Sequence, residues 1–174
     1  TAAARQAMDL LLESGHRRVG ILGANFDCAQ ISYSRYLGCR ESFEAHGLSL
    51  DESWTEACRY SMAEGYAAAG RILDRTKGLT ALFALSDVMA IGAIRCLRDR
   101  GLRVPEDISV VGFDGVALGE YCVPRLTTVR QDTRSMVHRA AEILLSRLTE
   151  ELPPVHETVP FTLIPGESAG PSPI

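Results

Sequence analysis

Four short stretches of this sequence hold side chains equipped to recognise a ligand. Arg35, Tyr60, the pair Ser86-Asp87, and Asp114 supply a cation, an aromatic ring, a hydroxyl beside a carboxylate, and a second carboxylate. A guanidinium donates from a rigid fork, and a carboxylate accepts from two neighbouring hydroxyls. A tyrosine ring packs on the flat or C–H face of a ligand. Together these groups suit a small polyhydroxylated or otherwise polar molecule. Each also has a plainer reading. An arginine near a helix start is commonly a solvated surface group, Asp87 suits a helix N-terminus through the dipole, and Asp114-Gly115 reads as a turn. Their shared placement favours the ligand.

That placement follows from the order of the elements. Ala4, Met8, Leu11 and Leu12 form one helical face closed by Gly15. Val19 to Gly23 is a short buried strand. Tyr36, Cys39 and Phe43 mark a second helix stopped by Gly47, and a weak strand follows near Trp54 to Cys58. Ser61 and Glu64 are spaced as a capping box ahead of a third helix with Tyr66, Ala69, Gly70 and Leu73 as its stripe. Thr80 to Leu85 is a continuous apolar strand, and Ser86 can cap the helix that ends at Gly101. Val104 to Asp107 is a turn, Ile108 to Phe113 a buried strand, and Thr127 to Val129 a short one. Asp132 or Thr133 can cap a long helix with Met136, Ala140, Ile143 and Leu144 on one face. Val159, Phe161 and Leu163 alternate as a final strand that Pro160 puts at an edge. The Ser-, Gly- and Pro-rich tail from Gly166 is expected to be loose.

Strands alternate with helices, and the strands are apolar on both faces. This predicts an α/β fold, a parallel sheet flanked by helices with right-handed crossovers. Ligands in such folds bind outside the carboxyl ends of the strands. Ala24 to Ser34, Arg59 to Ser61, Ser86 with Asp87, and Asp114 onward should therefore share one rim.

Composition narrows the function. Of 174 residues 46% are hydrophobic and 23% charged. Such a chain can fold, so disorder is excluded. The length suits one domain, or one domain with a fragment of another. Eighteen basic against 22 acidic residues give a net charge of −4. A nucleic-acid binder usually carries a basic excess, so contact with DNA must come from elsewhere. The most apolar stretch, Thr80 to Leu97, is interrupted by Ser86, Asp87 and Arg95, which excludes a membrane helix. Residues 1–15 lack the apolar core of a signal peptide. The cysteines Cys28, Cys39, Cys58, Cys96 and Cys122 are odd in number and scattered, as expected of reduced thiols in the cytoplasm. No GxSxG, HExxH or GxxxxGK[ST] occurs. His16, His46, His138 and His156 show no ligand spacing; His16 and His46 adjoin helix-ending glycines, where an imidazole suits the C-terminal dipole. Neither metal nor cofactor is expected, nor an enzyme.

Two segments resemble the LacI–GalR family of bacterial transcriptional regulators: Gly101-Leu-Arg-Val-Pro-Glu-Asp-Ile-Ser-Val-Val-Gly-Phe-Asp114, and Val123-Pro-Arg-Leu-Thr-Thr-Val-Arg-Gln131. Gly15 to Gly23, Arg35-Tyr-Leu-Gly38 and Ser86 to Ala93 fit the same family. The resemblance implies part of a two-lobed, periplasmic binding protein-like type I core that binds a small effector, by default a sugar, between its lobes. Carried over by position, the effector contacts fall on Arg35, Tyr60, Ser86, Asp114 and Gln131. The family commonly has Asn or another polar residue where Ser86 stands, and often Arg where Gly166 stands. It further implies a homodimer and operator binding through an N-terminal helix-turn-helix that these residues do not contain. By the family topology, 1–17 is a helix of the N-terminal lobe, 18–129 the C-terminal effector-binding lobe, 130–152 a helix returning to the N-terminal lobe, and 153–174 the last strand and tail. The first and long helices would then pack on a neighbouring chain, on this lobe, or on a segment beyond these residues. A cytoplasmic repressor without catalysis is the leading expectation. An extracytoplasmic solute-binding protein of the same architecture is the alternative, and a nucleotide-dependent α/β enzyme is a third.

Overall fold

A computed structural model describes residues 1–24, 31–149 and 153–173. Its centre is a six-stranded sheet built from β1 (Val19–Leu22), β2 (Thr55–Glu56), β3 (Ala81–Ala84), β4 (Ser109–Asp114), β5 (Thr127–Gln131) and β6 (Phe161–Ile164), in the order β2-β1-β3-β4-β5-β6. The first five strands pair in parallel and β6 runs antiparallel to β5. Every residue of β1 and β3 is buried. A strand covered on both faces has no use for alternation, which is why these two read as unbroken apolar runs.

Two helix pairs supply the cover. The first is α1 (Ala2–Glu13) with α2 (Ile31–Ala45), and the second is α3 (Met62–Arg75) with α4 (Asp87–Asp99). The stripe Ala4, Ala7, Met8, Leu11 and Leu12 of α1 is fully buried in the common core. The first helix is therefore covered within the described fold itself. In α3 the buried face is Gly65, Ala68, Ala69, Gly70 and Ile72, while Tyr66 is 40% exposed. The expected stripe through Tyr66 is thus rotated. The cause is a close crossing: a Cβ on Gly65 would strike the Met89 backbone, and one on Gly92 would strike the Met62 carbonyl. Only small residues let the two helix backbones approach this far. Ahead of α3, Ser61 accepts from the Glu64 N–H (3.2 Å), but the Ser61 N–H donates to Arg59 O (2.9 Å), so half of the expected capping box is used.

The tail departs most from expectation. Residues 166–172 are stitched into the sheet rather than loose. Ser168 is buried, its Oγ donates to Val110 O (2.6 Å) and accepts from the Thr127 N–H (2.9 Å), and its carbonyl accepts from the Val110 N–H (2.6 Å). The serine fills the gap where β4 and β5 diverge at their amino ends. Gly166 lies against Arg125 O and the Leu126 carbonyl carbon (2.5 Å from a built Cβ), leaving no room for a larger residue. The composition signalled freedom, but small residues here permit close approach instead.

His16 is also a crosslink and not a helix-end group. It is fully buried. A carbonyl can only accept, so Nε2–H donates to Gly170 O (3.0 Å) and Nδ1 accepts the Thr80 hydroxyl (2.9 Å). Accepting at Nδ1 requires the neutral ring, whereas the Nε2–H bond to Gly170 survives protonation. The described cysteines Cys39, Cys58, Cys96 and Cys122 are free thiols, and Cys28 lies outside the described residues. Burial pushes the Cys58 thiol up to about 11. No described helix is long and apolar enough to cross a membrane.

The last helix, α5 (Thr133–Thr149), behaves differently. Asp132 caps it, accepting from the Ser135 N–H (3.0 Å) and hydroxyl (2.6 Å). Most of its large apolar residues find no cover: Val137, Leu144, Leu145 and Leu148 are 61–74% exposed, and Ile143 is half-buried.

Burial holds the His16 pKa below its usual 6.5. The unfolded chain takes up this proton near the ordinary value, whereas the folded chain does so only at lower pH. Stability is therefore complete above about pH 6.5 and falls as pH drops below it. Urea midpoints should decline between about pH 7.5 and 5.5, and His16→Gln, which cannot titrate, should flatten that decline. Equal slopes in the two proteins would assign the loss to other groups.

Candidate functional site

The strand order reverses beside β1, because the chain goes out to β2 and returns to β3. In a parallel sheet such a reversal is where a crevice opens outside the carboxyl ends of the strands. Residues 25–30 of the first loop lie outside the described residues. The helix that follows, α2, delivers Arg35 to the crevice. The Arg35 guanidinium donates through Nη1 to Leu85 O and through Nη2 to Asp114 Oδ1 (3.0 Å). Its Cζ lies 3.9 Å from the centre of the Phe113 ring, within range of a cation–π contact. The side chain is only 12% exposed. This arginine is fixed on three sides, unlike a solvated surface group.

Asp114 ends β4 with φ +117, a conformation that L residues rarely adopt. Gly115 follows at φ +73 with its α-carbon against Arg130. The chain thus leaves the sheet abruptly and presents the carboxylate at the rim. The Gln131 amide, at the end of β5, donates to the same Oδ1 (2.7 Å). The second carboxylate oxygen has no partner among the described residues, and the side chain is 28% exposed. Arg35 and Gln131 therefore orient Asp114 through one oxygen and leave the other with accepting capacity in a partly exposed side chain.

Tyr60 stands four residues beyond β2, in the loop before α3, and β2 is shorter than the stretch Trp54 to Cys58 expected for it. It is 46% exposed. Burial of the ring and the Asp114 carboxylate raise its hydroxyl pKa, while the Arg35 guanidinium opposes them. It therefore lies in the field of both groups. Ser86 occupies the N-cap position of α4, and its carbonyl accepts the Ala90 N–H (3.0 Å). Its hydroxyl does not make the expected capping bond, and the residue is only 3% exposed. The structure therefore brings Arg35, Asp114 and Gln131 into direct contact with Tyr60 nearby, and places Ser86 beneath the surface next to Leu85. Gln131 came only from family resemblance, because the sequence pattern ended its strand at Val129. Phe113 was missed, because an aromatic residue at the end of an apolar strand reads as core.

Above this floor lies an open cleft of about 750 Å³. Arg35, Phe113 and Gln131 line one side, and Met136, Ala140 and Ile143 of α5 line another. A polar floor facing an apolar wall suits a ligand with hydroxyls on one side and a C–H surface on the other. No cluster of three or more His, Cys, Asp or Glu suited to a metal occurs among the described residues.

Residues 8–169 match the model of the periplasmic binding protein-like domain. The HTH-type transcriptional regulator CelR of Thermobifida fusca is 38% identical over 84% of the chain, and the HTH-type transcriptional repressor PurR of Haemophilus influenzae is 36% identical over 81%. The chain spans 43% and 42% of their lengths. The solved structure of a CelR–cellobiose complex superposes with a TM-score of 0.91 at 36% identity, covering 96% of this chain and 51% of that one.

Beneath the site, Gly112 leaves room for the buried Asp87 carboxylate. A Cβ there would collide with Asp87 Oδ1 and approach Leu126 Cδ2 to 2.9 Å. Gly112→Ala should therefore destabilise the fold by about 1–3 kcal/mol, the usual cost of overpacking. Chemical denaturation measures it; unchanged stability would mean that Asp87 moves aside freely.

Proposed function

Because the chain belongs to the periplasmic binding protein-like domain family, on the side of the LacI–GalR regulators, we propose that it is the effector-sensing part of a cytoplasmic transcriptional regulator. Its effector is a small polyhydroxylated molecule, a sugar, held over Arg35, Asp114 and Gln131 with Tyr60 at the flank. The observation that carries this reading is the half-used Asp114 carboxylate. One oxygen is committed to two orienting donors, Arg35 and Gln131, which line the cleft, and the other is left as a strong acceptor for ligand hydroxyls. Ser86 contributes less than its family position implies, since it is buried here. The complex of CelR with cellobiose supports a sugar over other polar ligands. Contact with an operator belongs to a helix-turn-helix outside these residues, in keeping with the net charge of −4.

The two-lobed arrangement assigns α5 to the opposite lobe, whose packing would cover its stripe. Residues 18–129 and 153–174 then form the lobe that carries Arg35, Tyr60 and Asp114, with Gln131 just past its boundary. For 1–17 the same assignment is weaker, because this sheet already buries α1.

Asp114→Asn tests the site. It keeps the shape but exchanges a charged acceptor for an amide. Charge-assisted hydrogen bonds contribute about 1.5–3 kcal/mol, so sugar affinity should fall roughly ten- to a hundredfold. A thermal-shift survey of mono- and disaccharides on wild type selects the sugar, and calorimetry compares the variant. Equal affinities would remove Asp114 from the site.

The same reading includes a homodimer. Leu118, Tyr121 and Val123 are 47%, 82% and 73% exposed on one turn, which Arg98 of α4 fastens by donating to Val123 O (3.0 Å). Grouped apolar exposure of this kind marks contact surfaces. Sedimentation at micromolar concentration should show a dimer for wild type and a monomer for Tyr121→Glu. A monomeric wild type would defeat the proposal, as would a variant that still dimerises.

A further inference from the structure

Asp87 is the one carboxylate among the described residues with no exposure at all. An acidic residue in the first turn of α4 would gain its dipole benefit equally well in water. Burial adds a cost that only good partners offset. Both oxygens have such partners. Oδ2 accepts the Val116 N–H (2.7 Å) and Oδ1 accepts the Thr128 hydroxyl (2.5 Å). Burial raises the Asp87 pKa, and these bonds pull it back.

The partners stand at informative places. Val116 lies two residues after Asp114, just past the turn in which Asp114 and Gly115 both have positive φ. Thr128 lies on β5, three residues before Gln131, and pairs with Gly112 of β4. Asp87 itself follows Ser86 and Leu85, whose carbonyl receives Arg35. One buried side chain thus ties together the three segments that deliver Arg35's anchor, the Asp114 carboxylate and the Gln131 amide. It has no surface from which to touch a ligand.

We propose that Asp87 is a positioning residue: by holding the Gly115-Val116 turn against β5, it sets the Asp114 carboxylate against Gln131 and Arg35. The inference rests on the reading of Asp114 as the effector's acceptor, but its test needs no effector. The Gln131 side-chain amide reports directly on where Asp114 stands, and its unbonded resonance is given by Asp114→Ala. In Asp87→Ala, two-dimensional ¹H–¹⁵N spectra of the chain should show the Gln131 amide moving toward that unbonded position. Hydrogen exchange at Val116 should accelerate roughly tenfold or more, as loss of a charge-assisted hydrogen bond implies. Asp87→Asn should restore both signals, because its oxygen can accept from Val116 while its N–H₂ donates to Thr128. If Asp87→Ala does not fold, Thr128→Val removes one partner alone and should shift Gln131 in the same direction. Folded Asp87→Ala or Thr128→Val with unmoved Gln131 and Val116 signals overturns the proposal, as does Asp87→Asn shifting Gln131 as far as Ala. A shifted Gln131 combined with unaltered sugar affinity in Asp114→Asn would keep the positioning role and reject the effector site.

Discussion

A parallel strand must begin and end on the same sides of the sheet as its neighbours, and this constraint orders the rest of the molecule. It forces each connection to cross back over a face, which recruits helices as cover and makes β1 and β3 apolar on both sides. It also collects the exits of the five parallel strands at one rim. Arg35, Asp114 and Gln131 come from positions up to 96 residues apart in sequence, yet they share hydrogen bonds because α2, β4 and β5 all deliver them to that edge. Polar residues at the rim can then serve a ligand while the strand interiors remain committed to packing.

The sheet, its helical cover and the rim were legible because they depend on local pattern. TALFAL and ISVVGF are long enough to show burial on both faces, and Gly15, Gly47 and Gly101 closed their helices at positive φ as read. Arg35 and Asp114 were legible as candidates from their positions after strands. What was not legible depends on approach between distant segments. Tyr66 belonged to the most apolar face of its helix by periodicity, but the crossing with α4 selected the glycine face. Ser86 had the chemistry of a cap, yet its hydroxyl does not cap. Phe113 looked like core and proved to be both core and the platform for a guanidinium.

Polar burial is the recurrent device. His16, Asp87 and Ser168 are each fully buried or nearly so, and each is hydrogen-bonded to two or more separate segments. None adds much apolar contact. Their contribution is specificity: a satisfied polar group accepts one arrangement of its neighbours, whereas a methyl tolerates several. This matters most where strands diverge or a turn carries an unfavourable backbone, and both conditions hold at these places.

The stitched tail has a consequence for the order of assembly. Ser168 closes the gap between β4 and β5 across separations of 58 and 41 residues, and His16 meets Gly170 across 154. Contacts of such range carry the largest loop-closure cost and form slowly. During synthesis the sheet from β1 to β5 can be complete while its amino-terminal edge still lacks these bonds, since the residues that make them follow every strand in the chain. The sheet therefore becomes fully locked only after β6 and the residues that follow it have been translated, and until then the divergence between β4 and β5 is its open seam.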